Sequence, residues 1–433
     1  MEGVNVTFFR ENKSTFFGLP TWLFVLISSF LISTCYAFIL LHFFDFNVYP
    51  DYYDILARNL LEGKGYIIGF GEDSVFWRPP LYPLFLVPIY YFFGYQHFPV
   101  VVIQVILNSL TAVLIYKIMK KIFSPSLGLF AGILYSLYPL VAYNLPRVST
   151  VILFNFLFVL LIIVMYQFYD TPNWRNAVIF GGIQGLLTLC QLFFEGFPIF
   201  ILLSIFIMTL FHCRKGIMKQ VQFGLWMILG FSIVLAPWVI RNYKLSGVFP
   251  LLGVGGGYTM WYGNYMQTEG KDFNQLSSRE GEEFRKELKR IIGREDGSSI
   301  TIKNDKKLYK EAVHNFIRYP KETVLLMLKK VFRLWFSVYS FEMQKYQWMI
   351  SVVQAIIIFP GIYGVYRALK KGIRIGPLLL VILYFQIVYT VFNASIRYSL
   401  PVMFIIISLA LYGIVEAYRN LSIKPLRGDY DHR

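Results

Sequence analysis

The stretch "NVYPDYYDILARNLLEGKGY", Asn47 to Tyr66, sets two carboxylates, Asp51 and Asp54, three residues apart just after a long apolar run. Pro50 breaks any preceding helix. Asp51 then stands where an N-cap belongs. Asp54 falls in the first turn, and Ile55, Leu56, Asn59 and Leu60 follow at helical spacing until Gly63 and Gly65 end the run. Two readings fit. Asp51 caps the helix while Asp54 complements its positive end, or a carboxylate at this helix start accepts a proton from a substrate hydroxyl.

The cations that could serve such a reaction are dispersed along the chain. In "FWRPPLYPLFL", Arg78 precedes Pro79, Pro80 and Pro83, which fix a rigid, extended entry. Arg78 is either an anchor that snorkels to lipid phosphate or a clamp on the phosphate of a bound lipid. Arg241 and Asn242 lie at the end of another apolar run, in "APWVIRNYKLSG", and Arg397 and Tyr398 open the last one, in "NASIRYSLPVMF". Asn393 there matches a glycosylation sequon. Glu195, in "LFFEGFP", is a further acid or a plain interfacial residue. Glycines 253, 255, 256 and 257 do not make a nucleotide loop: Tyr258 stands where the fingerprint needs glycine, and no GK[ST] follows. In the loop they form, Trp261 and Tyr262 are sugar or lipid platforms, or members of an interfacial aromatic belt. Histidines 42, 97, 212, 314 and 432 show no metal spacing. Cys35, Cys190 and Cys213 are odd in number and form no CxxC, so neither a disulfide framework nor a zinc site is indicated.

The elements that must position these residues are membrane helices. Of 433 residues 56% are hydrophobic and 15% charged, against about 25% charged in soluble proteins. Spanning segments of about 20 apolar residues are expected at 21–44, 98–118, 125–143, 149–169, 176–195, 197–212, 221–240, 348–367, 375–393 and 398–418. The first is too long for a signal-peptide core and reads as a retained anchor. Residues 80–94 are short and begin among prolines, and 322–343 carry Lys329, Lys330 and Arg333 in mid-segment, which is costly in hydrocarbon. With both lying in the interface, "KIMKKIF", "CRKGIMK", "YRALKKGIR", "YRNLSIKPLRG", Arg10 and Lys13 share one side, as the positive-inside rule requires. The formal charge of +16 is then topological and does not imply nucleic acid. The expectation is an all-α polytopic membrane protein of about ten transmembrane helices with interfacial helices. Both termini are cytoplasmic, and two extracytoplasmic segments, 45–97 and 241–347, carry the polar chemistry. In the second, Ser277 and Glu280 fit a capping box, and Phe284, Leu288 and Ile291 share a helical face. No solenoid repeat is visible.

Taken in order, "DYYDILARNLLEGKGY", "WRPPLYPLFL", "IVLAPWVIRNYKLSGVF", "GGGYTMWYGN" and "IRYSLPVMF" resemble the membrane-embedded GT-C glycosyltransferases, in the branch of protein O-mannosyltransferases and lipid A aminoarabinose transferases. The resemblance implies a single GT-C-like domain over 1–433 in the plasma membrane. It implies a donor sugar on a polyprenyl phosphate, such as undecaprenyl phosphate, and transfer with inversion to an acceptor hydroxyl on a lipid, glycan or protein of the cell envelope. Asp51 matches the base of the first external loop, with Asp54 as the fallback. Arg78, Arg397 and Arg241 would hold the donor phosphate, and Tyr82, Trp261 and Tyr262 would contact substrate. No cofactor is obligatory, and a divalent cation remains open. The chain departs from the family in having Val151 where an acid is common and Gln191–Leu192 where an arginine-proline pair is common. The competing readings are a lipid or sugar transporter or flippase, which would want an internal repeat and ionisable residues deep in the spans, and a non-catalytic scaffold of the same fold.

Overall fold

Apolar runs with no water to satisfy their backbone must become helices, and they do. The computed structural model describes residues 15–43, 48–49, 51–69, 76–212, 217–249, 251–271, 276–293, 300–338 and 342–422. Arg10, Lys13, Pro50, Cys213 and the basic residues after Ser422 lie outside them. A short hairpin, Thr15–Phe16 paired antiparallel with Leu19–Pro20, precedes the helices. The helices are α1 (Thr21–Phe43), α2 (Tyr53–Leu61), α3 (Leu81–Phe93), α4 (His97–Ile122), α5 (Pro125–Leu137), α6 (Pro139–Ala142), α7 (Val151–Asp170), α8 (Trp174–Cys190), α9 (Phe197–His212), α10 (Ile217–Ser246), α11 (Gly256–Gly263), α12 (Ser278–Ile292), α13 (Ile302–Arg318), α14 (Pro320–Phe336), α15 (Gln347–Lys370), α16 (Gly376–Val391), α17 (Ile396–Ser399) and α18 (Met403–Ser422).

By length and composition, six stretches among the described residues can cross a membrane: α1, α4, α7, most of α10, α15 with the turn before it, and Ile396–Leu421. The shorter α5, α8, α9 and α16 complete the ten expected segments of an all-α polytopic membrane protein. Two segments are interrupted at a proline. The third stops at Leu137 because Tyr138, held extended before Pro139, cannot continue the helix. The last is broken into α17, a 3-10 turn over Leu400–Val402 and α18, since Pro401 lacks the N–H that a continuous helix needs. The residues expected in the interface, 80–94, form α3, whose 13 residues reach only about 20 Å. The 322–343 segment becomes α14, with Val324, Leu325, Leu328 and Phe332 exposed along one side and Lys330 fully buried on the other.

The long helices pack through glycine. A Cβ on Gly181 of α8 would lie 1.9 Å from the Met227 carbonyl of α10, and one on Gly230 of α10 would lie 2.1 Å from the Val178 carbonyl of α8. Gly364 of α15 and Gly413 of α18 form the same reciprocal seam, 1.9 Å from the Leu409 carbonyl and 2.3 Å from that of Pro360. In lipid, where burial of apolar surface drives little, such close backbone approach is what holds helices together.

A separate apolar cluster lies beneath the second loop segment. The capping box of α12 is formed as expected: the Glu280 N–H donates to Ser277 Oγ, and the Ser277 N–H donates to Glu280 Oε2 at 2.9 Å. Its buried face is Phe284, Leu288 and Ile292, with Ile291 packed only in part against the cluster. These side chains close over Trp261 and Tyr265.

Gly230→Val forces two backbones apart, so the protein in detergent should lose about 1–3 kcal/mol of stability. Gly256→Ala, where nothing lies within 4 Å of the new methyl, should stay within about 0.5 kcal/mol. Equal melting temperatures for the two variants would show that the seam yields.

Candidate active site

Asp51 does not cap its helix. The N-cap of α2 is Tyr52, and no side chain caps that end. The Asp51 carboxylate instead accepts from Arg78 Nη2 at 3.2 Å on Oδ1 and from Arg397 Nη2 at 3.3 Å on Oδ2. Only 10% of the Asp51 side chain is exposed, against 23% for Arg78 and 36% for Arg397. Burial alone would raise the Asp51 pKa. The charges of Arg397, Arg78 and Arg147 outweigh it and hold the carboxyl below its ordinary value. Three guanidinium groups around one carboxylate leave excess positive charge, and Arg78 Nε is buried with no hydrogen-bond partner.

Each member is held by its own scaffold. Val148 N donates to Val48 O at 2.8 Å, which ties the strand leading to Asp51 to the loop carrying Arg147. Gln104 of α4 donates from Nε2 to Leu145 O at 2.7 Å and to Arg147 O at 3.0 Å. His97 Nε2 lies 2.6 Å from Pro146 O. Tyr66 Oη donates to the carbonyls of Arg78 and Pro79, both at 3.0 Å, and the Arg78 guanidinium lies 4.4 Å over the Trp77 ring and 5.3 Å over that of Tyr53. Arg397 hangs on a turn fixed from behind. Lys330 Nζ donates to Asn264 Oδ1 at 2.6 Å and to Phe392 O at 3.0 Å, Asn393 Nδ2 donates to Tyr262 Oη at 3.1 Å, and Ile396 N donates to Ser337 O at 2.8 Å.

Several expected roles change with these contacts. Tyr82, expected at the substrate, is fully buried, and its hydroxyl donates to Gln104 Oε1 at 3.0 Å, which orients the amide that holds the Arg147 loop. Trp261 and Tyr262 are not open platforms. Trp261 is 1% exposed and packs on Phe284, and Tyr262 serves Asn393. That asparagine is itself buried, which removes the sequon as an accessible site. Arg241 does not join the clamp. It lies over Trp238 at 4.6 Å and Tyr66 at 5.3 Å and donates to Asn242 Oδ1, so it backs Tyr66. Asp54 is half-buried one turn on, with the charge of Arg58 near it, and no ion pair among the described residues includes it or Glu195. Arg147 and Lys330 were not singled out as site residues. The signal for Arg147 was a lone cation after proline between two apolar runs, in "NLPRVST"; for Lys330 it was its mid-segment position. Among the described residues no three of His, Cys, Asp and Glu gather as metal ligands.

Residues 77–240, which include Arg78 and Arg147, match the family model described as Dolichyl-phosphate-mannose-protein mannosyltransferase. No curated protein matches the chain in sequence. Among solved structures the chain is similar to the archaeal oligosaccharyltransferase AglB from Archaeoglobus fulgidus, in complex with an inhibitory peptide and a dolichol-phosphate. The TM-score is 0.52 and the identity 14%, over 94% of this chain and 52% of that one, so the chain spans about half its length. The chain has the GT-C fold. ArnT from Cupriavidus metallidurans also matches, bound to undecaprenyl phosphate (TM-score 0.42, identity 11%, 93% of this chain and 78% of that one). Its apo state matches at a TM-score of 0.41 and 12% identity, over 90% and 76%. Within this fold, the clamp joins the first loop, the Arg147 loop and the start of the broken last helix.

Because the folded pKa of Asp51 lies below the unfolded one, the stabilisation it gives is complete above about pH 4 and fades only as pH falls through the lower folded value. Stability should therefore show no pH dependence from this group between about pH 5 and 8, and Asp51→Asn should flatten the acid limb of a melting-temperature profile. Lys330→Met keeps the apolar stem but strips the donor from buried oxygens, at a cost of about 1–3 kcal/mol, read from the same melts.

Proposed function

We propose that this protein is a glycosyltransferase that moves a sugar from a polyprenyl-phosphate donor to an acceptor hydroxyl on the extracytoplasmic side, with inversion. The observation that carries the reading is one buried carboxylate gripped by arginines from distant parts of the chain, Arg78 and Arg397, under the field of Arg147. A carboxylate kept ionised can take the proton of an acceptor hydroxyl. Guanidinium groups in a half-buried setting bind a phosphate by two-pronged hydrogen bonds and stabilise the charge that develops on it.

The step balances within these groups. Asp51 takes the acceptor proton as the acceptor oxygen attacks the anomeric carbon. The bond from that carbon to the phosphate oxygen breaks on the opposite face, and the electron pair leaves with the polyprenyl phosphate. Arg78 and Arg397, with Arg147 in place of the Arg241 first expected, receive the added negative charge. The lowered pKa makes Asp51 a modest base, which suits a leaving group as good as a phosphate. The structural neighbour AglB holds a dolichol-phosphate, and the family model is that of a dolichyl-phosphate-mannose enzyme. These support a lipid carrier but leave the sugar and acceptor open.

A transporter or flippase would have little use for a buried acid held by two arginines under the charge of a third. Val151, where relatives carry an acid, remains buried, so Asp51 would act with no second carboxylate at that position.

In a detergent assay with polyprenyl-phosphate sugars read by mass spectrometry, Asp51→Asn should cut transfer by about 10²–10⁴-fold while the bare carrier still binds. Full activity in the Asn variant would refute the base assignment. Arg397→Ala should weaken binding of the bare carrier, and unchanged affinity would leave Arg397 only the task of holding Asp51.

A further inference from the structure

Two rings beside the clamp are not used by the chemistry above. Tyr52 follows Asp51 directly and is held at φ 60°, ψ 17°, the left-handed region that bulky residues rarely enter. The residue is 39% exposed, and its ring lies 6.3 Å from the Trp77 ring, tilted by 37°. Trp77 in turn carries the Arg78 guanidinium 4.4 Å above its face, and that guanidinium is the one that bonds Asp51. The two rings therefore adjoin the arginine that bonds the carboxylate.

The glycine-rich run that fits no nucleotide loop is what supports Trp77. Val254 N donates to Phe76 O at 3.0 Å. A Cβ on Gly253 would lie 2.9 Å from that same carbonyl, and one on Gly255, at φ +110°, would reach 3.7 Å from the Trp77 ring. Glycine lets this backbone run flush against the Phe76–Trp77 segment, so the tryptophan is seated from below while its partner Tyr52 stays open.

We propose that Tyr52 and Trp77 form the sugar-binding platform of this site, on which the apolar C–H face of a sugar joined to a phosphate at Arg78 rests. The proposal builds on the polyprenyl-phosphate-sugar reading above. A sugar ring is one bond removed from its phosphate, so its platform must adjoin the phosphate-binding arginine. Trp77 does so, whereas Trp261 is packed into the core. A flat aromatic face beside a few well-placed polar groups is the usual composition of a small-ligand site. The left-handed backbone at Tyr52 adds to the argument, because glycine would fold there more easily and lacks only the ring.

The test compares binding of undecaprenyl phosphate with its mannosyl, glucosyl and N-acetylglucosaminyl derivatives. It uses the purified full chain, Tyr52→Gly and Trp77→Leu. Tyr52→Gly removes the ring and the left-handed constraint together, so it should melt no lower than the parent. The parent should prefer at least one glycosylated carrier over the bare one. Tyr52→Gly should bind the bare carrier as the parent does, and both variants should lose about tenfold of the preference for the glycosylated carrier. A parent without preference, or variants that keep it, would overturn the platform. Loss of bare-carrier binding in both variants would also overturn it, since the rings would then serve only to seat Arg78. A parent that binds no carrier at all, bare or glycosylated, removes the lipid-donor reading and the platform with it.

Discussion

A buried carboxylate is costly unless it is matched, and Asp51 is matched by arginines 27 and 346 positions along the chain. This one clamp sets the terms for much of the structure. It requires the first loop, the entry to α3 and the broken start of the last span to meet at one point. It also requires that point to be dry enough for charge to matter and open enough for a substrate to arrive.

Two buried polar hubs meet that requirement. On one side Gln104, oriented by Tyr82, grips the backbone around Arg147. On the other, Lys330 reaches carbonyl oxygens near the C-terminal end of α16 and fixes the turn before Arg397. Neither hub touches the carboxylate. Both bind main-chain oxygens, which do not move with rotamers, so the arginine side chains start from fixed backbone. Without such hubs, the freedom of two long side chains would absorb most of what the ion pairs contribute.

The spans were legible because hydropathy is a property of each run by itself. The capping box at Ser277 and Glu280 was legible for the same reason, since its partners are three residues apart. Asp51 was picked out as a chemical residue, but local spacing made it a cap, and only the arginine at 397 shows why it turns elsewhere. Trp261 and Tyr262 looked like interfacial aromatics because the sequence does not show that α12 closes over them. Arg241 looked equivalent to Arg78, yet its helix turns it toward Trp238 and Tyr66. Long-range partners decide each of these cases, and no short window of sequence contains them. The proline breaks at 139 and 401 were readable in principle, but their apolar flanks concealed them.

The glycine seams between α8 and α10 and between α15 and α18 also limit how the molecule can breathe. With main chains in contact, neither pair can slide or part without losing its whole interface. Each pair therefore behaves as a plank. Any parting of the bundle therefore runs between planks and leaves each pair whole.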